Sequence, residues 1–420
     1  MSGFASFIYD SAIAFYGMAI RIVAFWNPKA RRWVRGRKNF WRNFPRIKPG
    51  SVWFHCASLG EFEQGRPLIE VIRKEFPGQP VVISFFSPSG FDVRKNYEGA
   101  DLVLYLPLDS KKNAERFLNF LRPSVAVFIK YEFWMNFLAA LQRRKIPVFV
   151  VSAIFRKRNF FTRFYGRPFR QMLRDITKIF VQDENSKRVL SKLRVDEVVV
   201  SGDTRFDRVM QLSKNPSAFP DLVMFASERF TVVAGSTWPV DEKLIFRAMK
   251  DERFRELRWI LVPHEVGEKH LIWIEKNIPV KTFRYSQLQN AIPDDVQCLL
   301  IDRIGMLSIL YSIGKLAYVG GGFGKGIHNL LEPAAHGIPV MFGPKHEKFR
   351  EAGGLISSGG GFAIRSGDEF ISNLLSWVVS DEKHDAENLR LSQGQRAADY
   401  VRRNTGAVES VMNEIRHHLN

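Results

Sequence analysis

The chain has 420 residues, of which 45% are hydrophobic and 25% charged, with a formal net charge of +19. This length and composition exclude a disordered chain and favour two domains with separate cores. The charge predicts an anionic partner, which can be a nucleic acid, a membrane surface or a phosphorylated substrate. The two cysteines, Cys56 and Cys298, stand in separate halves of the sequence and indicate neither a disulfide framework nor a zinc site, so a reducing compartment fits best.

The first 48 residues predict an interfacial helix followed by a basic segment. Apolar residues with helical spacing are Phe4, Phe7, Ile8, Phe15, Met18, Ala19, Ile22 and Trp26. Cations without an intervening acid follow: Lys29, Arg31, Arg32, Arg35, Arg37, Lys38, Arg42, Arg46 and Lys48. A helix packed on its own domain beside a solvated basic face would give the same pattern, and membrane contact is the favoured interpretation.

The N-terminus has no basic start and no small-residue cleavage site, so a signal peptide is not expected. Asp10 and Arg21 interrupt its apolar run. The stretch between them, Ser11 to Ile20, is shorter than the about 20 residues that cross a bilayer. We therefore expect the segment to lie on a membrane without spanning it.

From Ser51 onwards, strands alternate with helical segments such as 66–75, 114–121 and 137–143, which indicates a doubly wound α/β sheet. Strands are expected at 52–54, 81–85, 102–106, 125–129, 148–151, 179–182 and 198–201, and then at 231–234, 259–262, 280–282, 298–301, 316–319 and 339–342. The interval 211–229 shows no strand pattern and predicts the linker. We predict an interfacial segment at 1–48, a Rossmann-like domain at 49–212 and a second one at 213–420, whose terminal helix returns toward the first.

Two carboxylates follow strands of the first domain, where ligands of open α/β sheets bind. Glu61 follows the first strand and the tight turn from Ser58 to Gly60, near a helix start. A partly buried carboxylate there can act as a general base, but an acid that stabilises the helix dipole is an equally physical explanation and the commoner one. Glu132 follows strand 125–129, and first-turn capping competes with a cleft role there too.

The segment 155–170 alternates cations and aromatic rings. Its cations Arg156, Arg158, Arg163 and Arg167 can contact single-stranded nucleic acid by charge and stacking. They can equally contact a phosphorylated amphiphile at a membrane. The apolar helix at the N-terminus favours the second interpretation.

A glycine-rich loop follows strand 316–319 of the second domain, and the helix after it carries Glu332 in its first turn. Such a loop brings backbone N–H groups close to an anion. The residues expected at a phosphate are Gly321, Gly322, Gly326, His328 and Asn329. The alternative is a tight turn without a ligand, and the spacing matches neither common nucleotide fingerprint.

Ser236 and Thr237 follow the first strand of the second domain, and His264 follows the second. Hydroxyl groups and an imidazole at neighbouring strand ends can line an anion or base pocket, although a single histidine is more often structural. Asp, His and Glu show no metal-ligand spacing, and we predict no metal site.

Taken in order, the motifs ASLGE (57–61), YEFW (131–134), SGDTRFD (201–207), GST (235–237), PHE (263–265) and GGGFGKGIHNLLEPAAHG (320–337) resemble the lipid A Kdo (3-deoxy-D-manno-octulosonic acid) transferases. The resemblance covers nearly the whole chain. It implies the GT-B fold, in which two Rossmann-like domains face a cleft.

The resemblance also implies a reaction, the inverting transfer of Kdo from CMP-Kdo to the tetraacyl-disaccharide precursor of lipid A. It implies a location on the cytoplasmic face of the inner membrane of Gram-negative bacteria, with no cofactor, no required metal and no nucleic-acid partner. Glu61 would then be the general base and Glu132 would support the acceptor or oxyanion environment. Ser236, Thr237 and His264 would line the CMP pocket, the glycine loop would hold the phosphate, and Glu332 would bind the ribose.

The chain departs from the family pattern at the donor site, where both arginines of Pro-Arg-His-Pro-Glu-Arg are missing from 263–268. Lys269, Arg205 or Lys325 would have to replace them. Two rival functions stay open: a GT-B transferase or epimerase that uses a UDP-sugar, and a non-catalytic basic protein that binds membranes or nucleic acid.

Overall fold

The computed structural model describes residues 3–42, 44–156, 166–214, 219–227, 229–288, 291–378 and 383–419. The chain forms two compact units. Unit 1 comprises Met1–Asp207 and Thr405–Asn420, and unit 2 comprises Arg208–Asn404. Unit 2 is therefore inserted, in sequence, between the body of unit 1 and its last helix.

Unit 1 is built on a seven-stranded parallel sheet with the order β3-β2-β1-β4-β5-β6-β7. Its strands are buried over most of their length because helices cover both faces, which explains their continuous apolar runs. The strands are β1 Ser51–Cys56, β2 Val81–Phe85, β3 Leu102–Tyr105, β4 Pro123–Ile129, β5 Val148–Ala153, β6 Lys178–Val181 and β7 Val198–Val200. The predicted doubly wound sheet is confirmed.

The helices of unit 1 are α1 Gly3–Val23, α2 Pro28–Gly36, α3 Leu59–Glu75, α4 Pro88–Arg94, α5 Lys111–Leu121, α6 Met135–Arg143, α7 Arg167–Arg174 and α8 Glu184–Ser191, with α9 Thr204–Lys214 at the boundary between the units. The predicted start of α3 at Arg66 is wrong. The helix begins at Leu59 and continues through Gly65 and Pro67. Gly65 allows close packing there, because a Cβ would lie 3.3 Å from the side chain of Ile129 on β4.

Helix α1 is longer than the apolar run that the sequence delimits. Of the helices in the described ranges, it alone contains a stretch, Ser6–Val23, that is long and apolar enough to cross a membrane by length and composition. The expectation that the segment is too short to span therefore does not hold for the helix as a whole, because Asp10 and Arg21 lie within its regular structure.

Unit 2 repeats the architecture with the strand order β10-β11-β9-β8-β12-β13-β14, again parallel throughout. Its strands are β8 Thr231–Thr237, β9 Arg258–Pro263, β10 Thr282–Arg284, β11 Cys298–Leu300, β12 Leu316–Val319, β13 Val340–Phe342 and β14 Gly361–Ala363. β14 was not predicted, because a three-residue edge strand leaves almost no sequence pattern.

The helices of unit 2 are α10 Pro220–Ser227, α11 Pro239–Met249, α12 Glu268–Asn277, α13 Leu307–Ile313, α14 Leu331–Ala335, α15 Arg350–Ser358, α16 Gly367–Val378 and α17 Lys383–Arg403. The interval 211–229 thus holds the end of α9 and all of α10. The last helix, α18 Ala407–Ile415, belongs to unit 1, where its apolar residues join the core that contains Val52, Phe54 and Phe180.

Candidate active site

In unit 1 the first and fourth strands lie side by side, and the chain winds outward from them in opposite directions. Ligands of such sheets bind at this switch point, beyond the carboxyl ends of the two strands. β1 leads to Glu61 and β4 leads to Glu132, so the sheet brings the two predicted carboxylates to one place. Burial raises the pKa of Glu61, and the charge of Glu132 raises it further.

Glu61 is the third residue of α3, after the N-cap residue Ser58. Its Oε2 accepts a hydrogen bond from the backbone N–H of Ala57. Burial, followed by the charge of Glu132, nevertheless raises the pKa of Glu61 to about 7, against the opposing effect of Lys130. The side chain thus lies in the first turn of α3, and with this pKa it can accept a proton near neutral pH. Its role as a general base stays a prediction.

Glu132 lies in the short turn between β4 and α6, and 17% of its side chain is exposed. Its Oε2 accepts from Nε1 of Trp134 at 3.0 Å and lies 3.4 Å from Nε2 of His55. His55 is fully buried on β1. The carboxylate of Glu132 is thus held by side-chain contacts with Trp134 and His55, whether or not it also caps α6.

Arg205 was a candidate cation for the donor, but it lies in unit 1 and binds an acid there. Its Nε and Nη2 donate to Oδ2 of the buried Asp203 at 3.0 and 2.9 Å. Nε2 of Gln64 donates to the same oxygen at 3.0 Å. Arg205 is therefore held by an ion pair within its own unit.

Two of the four predicted acceptor-binding arginines can be placed. Arg156 is exposed and acts electrostatically on Tyr131, next to Glu132. Arg167 is exposed at the start of α7, two residues before Phe169, whose ring contacts that of Tyr9 on α1. Arg158 and Arg163 lie outside the described residues.

Unit 2 has its switch point between β8 and β12, where Gly235 is paired with Val319. Ser236 and Thr237 are at the end of β8, and the glycine loop follows β12, so the sheet brings these predicted residues together. Ser236 has a positive φ of 52°, and the buried Thr237 contacts Oε1 of Glu242 at 3.0 Å. The carboxyl end of β8 therefore presents the backbone of Ser236 and the hydroxyl group of Thr237.

The glycines at this loop allow close backbone contacts. A Cβ on Gly320 would lie 2.7 Å from Cα of Thr237, and one on Gly322 would lie 2.6 Å from Cα of Gly343, which follows β13. The amide of Gly321 donates to Oδ2 of Asp241 at 3.0 Å, and that of Gly326 donates to the carbonyl of Gly321. The N–H groups of Gly321 and Gly326 therefore form hydrogen bonds within the protein, and these bonds stabilise the shape of the loop.

Three aromatic side chains line the next part of the loop. The ring of His264 stacks on those of His328, at 4.2 Å between centroids, and Trp238, at 4.8 Å. Nε1 of Trp238 donates to Nε2 of His328 at 3.1 Å. Burial, with a smaller effect from His264, lowers the pKa of His328 to about 4, so this histidine is neutral near pH 7.

Asn329 and Glu332 lie at the short helix α14. Nδ2 of Asn329 donates to Oε1 of Glu332 at 2.9 Å, and Oδ1 of Asn329 accepts from the amide of Leu331. Helix α14 covers only Leu331–Ala335, shorter than the sequence suggests. Lys325 is exposed within the loop, and the exposed Lys345 donates to the carbonyl of Phe323 at 3.4 Å.

Comparison with known proteins identifies the class of enzyme. A family model described as 3-deoxy-D-manno-octulosonic-acid transferase (kdotransferase) matches residues 27–208. A curated 3-deoxy-D-manno-octulosonic acid transferase of Haemophilus influenzae is 25% identical over 413 residues, which cover 94% of this chain and 93% of that protein. One of Aquifex aeolicus is 28% identical over 330 residues, covering 77% and 85%. Over most of its length, the chain is thus similar to Kdo transferases.

The chain is a glycosyltransferase, and solved structures show its fold. A putative UDP-N-acetylglucosamine 2-epimerase from Listeria monocytogenes aligns with a TM-score of 0.56 and 14% identity, over 89% of this chain and 97% of that one. MurG of Acinetobacter baumannii aligns with a TM-score of 0.54 and 12% identity, over 88% and 100%. The predicted GT-B fold is confirmed.

Sequence reasoning missed several polar residues that organise the site of this transferase. His55 was hidden inside an apolar strand, and Trp238 had no motif of its own. Asp241, in the first turn of α11, reads as an ordinary helix-start acid but also accepts from Gly321 and from Tyr318. Within the described residues, no group of three or more His, Cys, Asp or Glu is placed to hold a metal ion.

Proposed function

We propose that the protein is an inverting glycosyltransferase that moves Kdo from CMP-Kdo to the tetraacyl-disaccharide precursor of lipid A. The similarity to curated Kdo transferases supports the type of reaction. The observation that carries the proposal is Glu61, a carboxylate at the switch point of unit 1 with a pKa of about 7. Such a group is partly ionised at neutral pH and basic enough to take a proton from a sugar hydroxyl.

In the proposed step, the acceptor hydroxyl oxygen attacks the anomeric carbon of Kdo from the face opposite the leaving group. Glu61 takes the hydroxyl proton as the new carbon–oxygen bond forms. The bond to the phosphate oxygen breaks, and CMP leaves with its electron pair. The carboxylate of Glu132 lies near the reacting groups, where positive charge develops on the sugar ring.

For the donor, we propose that the glycine loop of unit 2 holds the phosphate of CMP-Kdo. The amides of Gly321, Gly326 and His328 donate to Asp241, Gly321 and Gly320, so the proposed phosphate contacts are the backbone of Gly322 and Asn329 and the ring of His328. Ser236, Thr237, His264 and Glu332 complete the nucleotide site. Lys325 and Lys345 are the exposed cations at this loop, and we propose that they balance the donor's charge in place of the family's arginines.

We also propose that α1 lies on the anionic cytoplasmic leaflet of the inner membrane. Phe7, Phe15 and Met18 of one helix face are 70%, 72% and 58% exposed. On the other face, the hydroxyl of Tyr9 donates to the buried Asp109 at 2.6 Å, and Asp10 accepts from Asn136 at 2.9 Å. These contacts in the middle of the helix support a helix lying along the membrane surface.

A product assay tests the reaction. Purified protein is mixed with CMP-Kdo, formed in situ, and the tetraacyl precursor, and the lipid mass is read. We expect a gain of one or more Kdo units in the wild type and a loss of turnover of about 100-fold or more in Glu61→Gln, because a general base is removed. CMP binding should persist in the variant. An unchanged lipid mass with folded wild-type protein would reject the Kdo assignment.

Sedimentation with vesicles tests the membrane proposal. We expect the wild type to bind vesicles that contain anionic lipid, and Phe7→Ser with Phe15→Ser to weaken binding about tenfold or more, because each ring loses its apolar contact. Ile304→Ser is the matched control, since Ile304 is 88% exposed in unit 2. Equal loss in the control would contradict the proposal. A carbonate wash at high pH should release a surface-bound protein, whereas retention would indicate a spanning helix.

A further inference from the structure

His55 occupies the centre of the sheet in unit 1, where a buried imidazole requires partners for both nitrogens. It is opposite Ser84 of β2 in the strand register and is fully buried. Nδ1 lies 3.1 Å from the carbonyl oxygen of Ser84 and 2.8 Å from its Oγ. A carbonyl oxygen only accepts hydrogen bonds, so the contact with it fits a tautomer that has its proton on Nδ1.

The second nitrogen faces an indole. Nε2 of His55 is 3.0 Å from Nε1 of Trp134, and an indole nitrogen only donates. Nε2 is therefore an acceptor without a proton. The two contacts together connect Trp134 to Ser84 through the ring of His55, and they fit the tautomer in which Nδ1 donates and Nε2 accepts.

The same indole N–H also reaches Glu132. Oε2 of Glu132 is 3.0 Å from Nε1 of Trp134 and 3.4 Å from Nε2 of His55, so one N–H is shared by two acceptors. The ring of Trp134 is fixed against Phe86, with centroids 4.6 Å apart. The position of the carboxylate therefore depends on the indole, and the direction of the indole N–H depends on His55.

We propose that His55 is a positioning residue, which acts through Trp134 to hold the carboxylate of Glu132 beside Glu61. The proposal rests on the proposed function, in that Glu61 is taken as the base. Its consequence is electrostatic. A fixed anion beside Glu61 opposes its ionisation and makes it a stronger base, whereas a displaced anion would leave it a weaker one.

Other charged or titratable groups also face Glu61. Lys130 and Tyr131 come from the turn that carries Glu132, and Cys56 comes from β1. None of them contacts His55 or Trp134 in the hydrogen bonds described above. Substitutions at His55 and Trp134 therefore change the surroundings of Glu61 chiefly through Glu132.

Two variants of His55, His55→Asn and His55→Gln, form a matched pair. His55→Asn places its amide near the position of Nδ1, so it keeps the contact with Ser84 and loses the acceptor for the indole of Trp134. His55→Gln reaches the position of Nε2 and can still accept from the indole. Trp134→Phe keeps a ring but removes the shared N–H, and Glu132→Gln removes the charge itself. Trp377→Phe in unit 2 is the control, because its indole donates to Gln393 at 2.6 Å, away from the site.

We expect His55→Asn and Trp134→Phe to lower kcat about tenfold, the effect of losing a hydrogen bond to a charged group, with the KM for CMP-Kdo unchanged. The acid limb of the pH–rate profile should move to lower pH, as in Glu132→Gln. The double variant should lose little more than either single one, because both act on one chain of contacts. His55→Gln should stay close to the wild type, and Trp377→Phe should leave kcat and the limb unchanged.

Additive losses, or a lower kcat with the acid limb unmoved, would overturn the proposal and leave His55 as a core residue. Titration of Glu61 by carbon-13 NMR gives a second readout without substrate. The pKa of Glu61 should fall in His55→Asn and Trp134→Phe but not in His55→Gln, with melting temperatures confirming that each variant is folded. A protein inactive on CMP-Kdo that shows this titration pattern would refute the proposed function and retain the positioning role; an unchanged pKa of Glu61 would refute the positioning role.

Discussion

The two units are each built on a seven-stranded parallel sheet but carry different chemistry at their switch points. Unit 1 presents long ionisable side chains, Glu61 and Glu132, at the ends of β1 and β4. Unit 2 presents backbone, glycines and neutral rings at the ends of β8 and β12, where Gly322 approaches Gly343 and His328 is uncharged. The topology thus decides where a ligand can bind, and the few residues after each strand decide what is done to it.

We expect the largest difference between the two switch points when a glycine at each, Gly322 or Gly60, is replaced by alanine and the change in stability is measured. In Gly322→Ala the new Cβ would meet the backbone of Gly343 within about 3 Å, so we expect about 3 kcal/mol of lost stability for unit 2, at the upper end for overpacking. Gly60→Ala in unit 1 has open space around its Cβ and stands in the first turn of α3, so it should stabilise by about 0.5–1 kcal/mol. Denaturant unfolding measures both, and effects of the same sign would break the comparison.

Asp241 tests how far unit 2 depends on a carboxylate despite its neutral loop. Its oxygens accept from the amides of Trp238 and Gly321 and from the hydroxyl of Tyr318. Asp241→Asn keeps only one accepting oxygen, so we expect a loss of about 2 kcal/mol in stability and weaker CMP binding by calorimetry. Asp251→Asn is a control on the surface, since its carboxylate bonds to exposed Arg253. Unchanged CMP affinity in Asp241→Asn would show that the loop keeps its shape without this acid.

Replacing Glu61 should make the protein more stable, whereas the replacement of a residue usually makes a protein less stable. Its folded pKa of about 7 lies above its ordinary value of 4.5, so the folded state binds the extra proton and loses stability as pH rises through this interval. Glu61→Gln removes that loss and should be more stable than the wild type at pH 8 by about 1–2 kcal/mol, allowing for partial exposure. The difference should vanish near pH 4, where both side chains are neutral. Melting temperatures across this range check it, and a constant difference would contradict the raised pKa.

Much of the fold followed from sequence because buried parallel strands leave apolar runs, such as 81–85 and 316–319, that are hard to mistake. Glu61 and the glycine loop could be identified as candidates because they directly follow predicted strands. Prediction from local sequence failed where tertiary contacts determine the bounds of an element. The helical segment predicted at 66–75 begins at Leu59 instead, because Gly65 packs closely on Ile129 of β4 and Pro67 is buried within α3.

The polar residues inside the site were harder to predict for a different reason. His55 is one imidazole in an apolar strand, and its partners Ser84 and Trp134 come from distant segments. Asp241 looks like a helix cap until β12 and its loop are placed beside it. Their roles depend on which strands are neighbours, and that information is absent from local patterns.

The insertion of unit 2 into the sequence of unit 1 has a consequence for biosynthesis. Val411, Met412 and Ile415 of α18 cover the same apolar face as Val52 and Phe54, and Nζ of Lys178 bonds to Glu414 at 2.6 Å. A ribosome makes these parts of one core about 350 residues apart, so at the about 5–20 residues per second of synthesis the first sheet waits many seconds for its cover. Through that interval, one face of the nascent sheet stays open to chaperones and to aggregation.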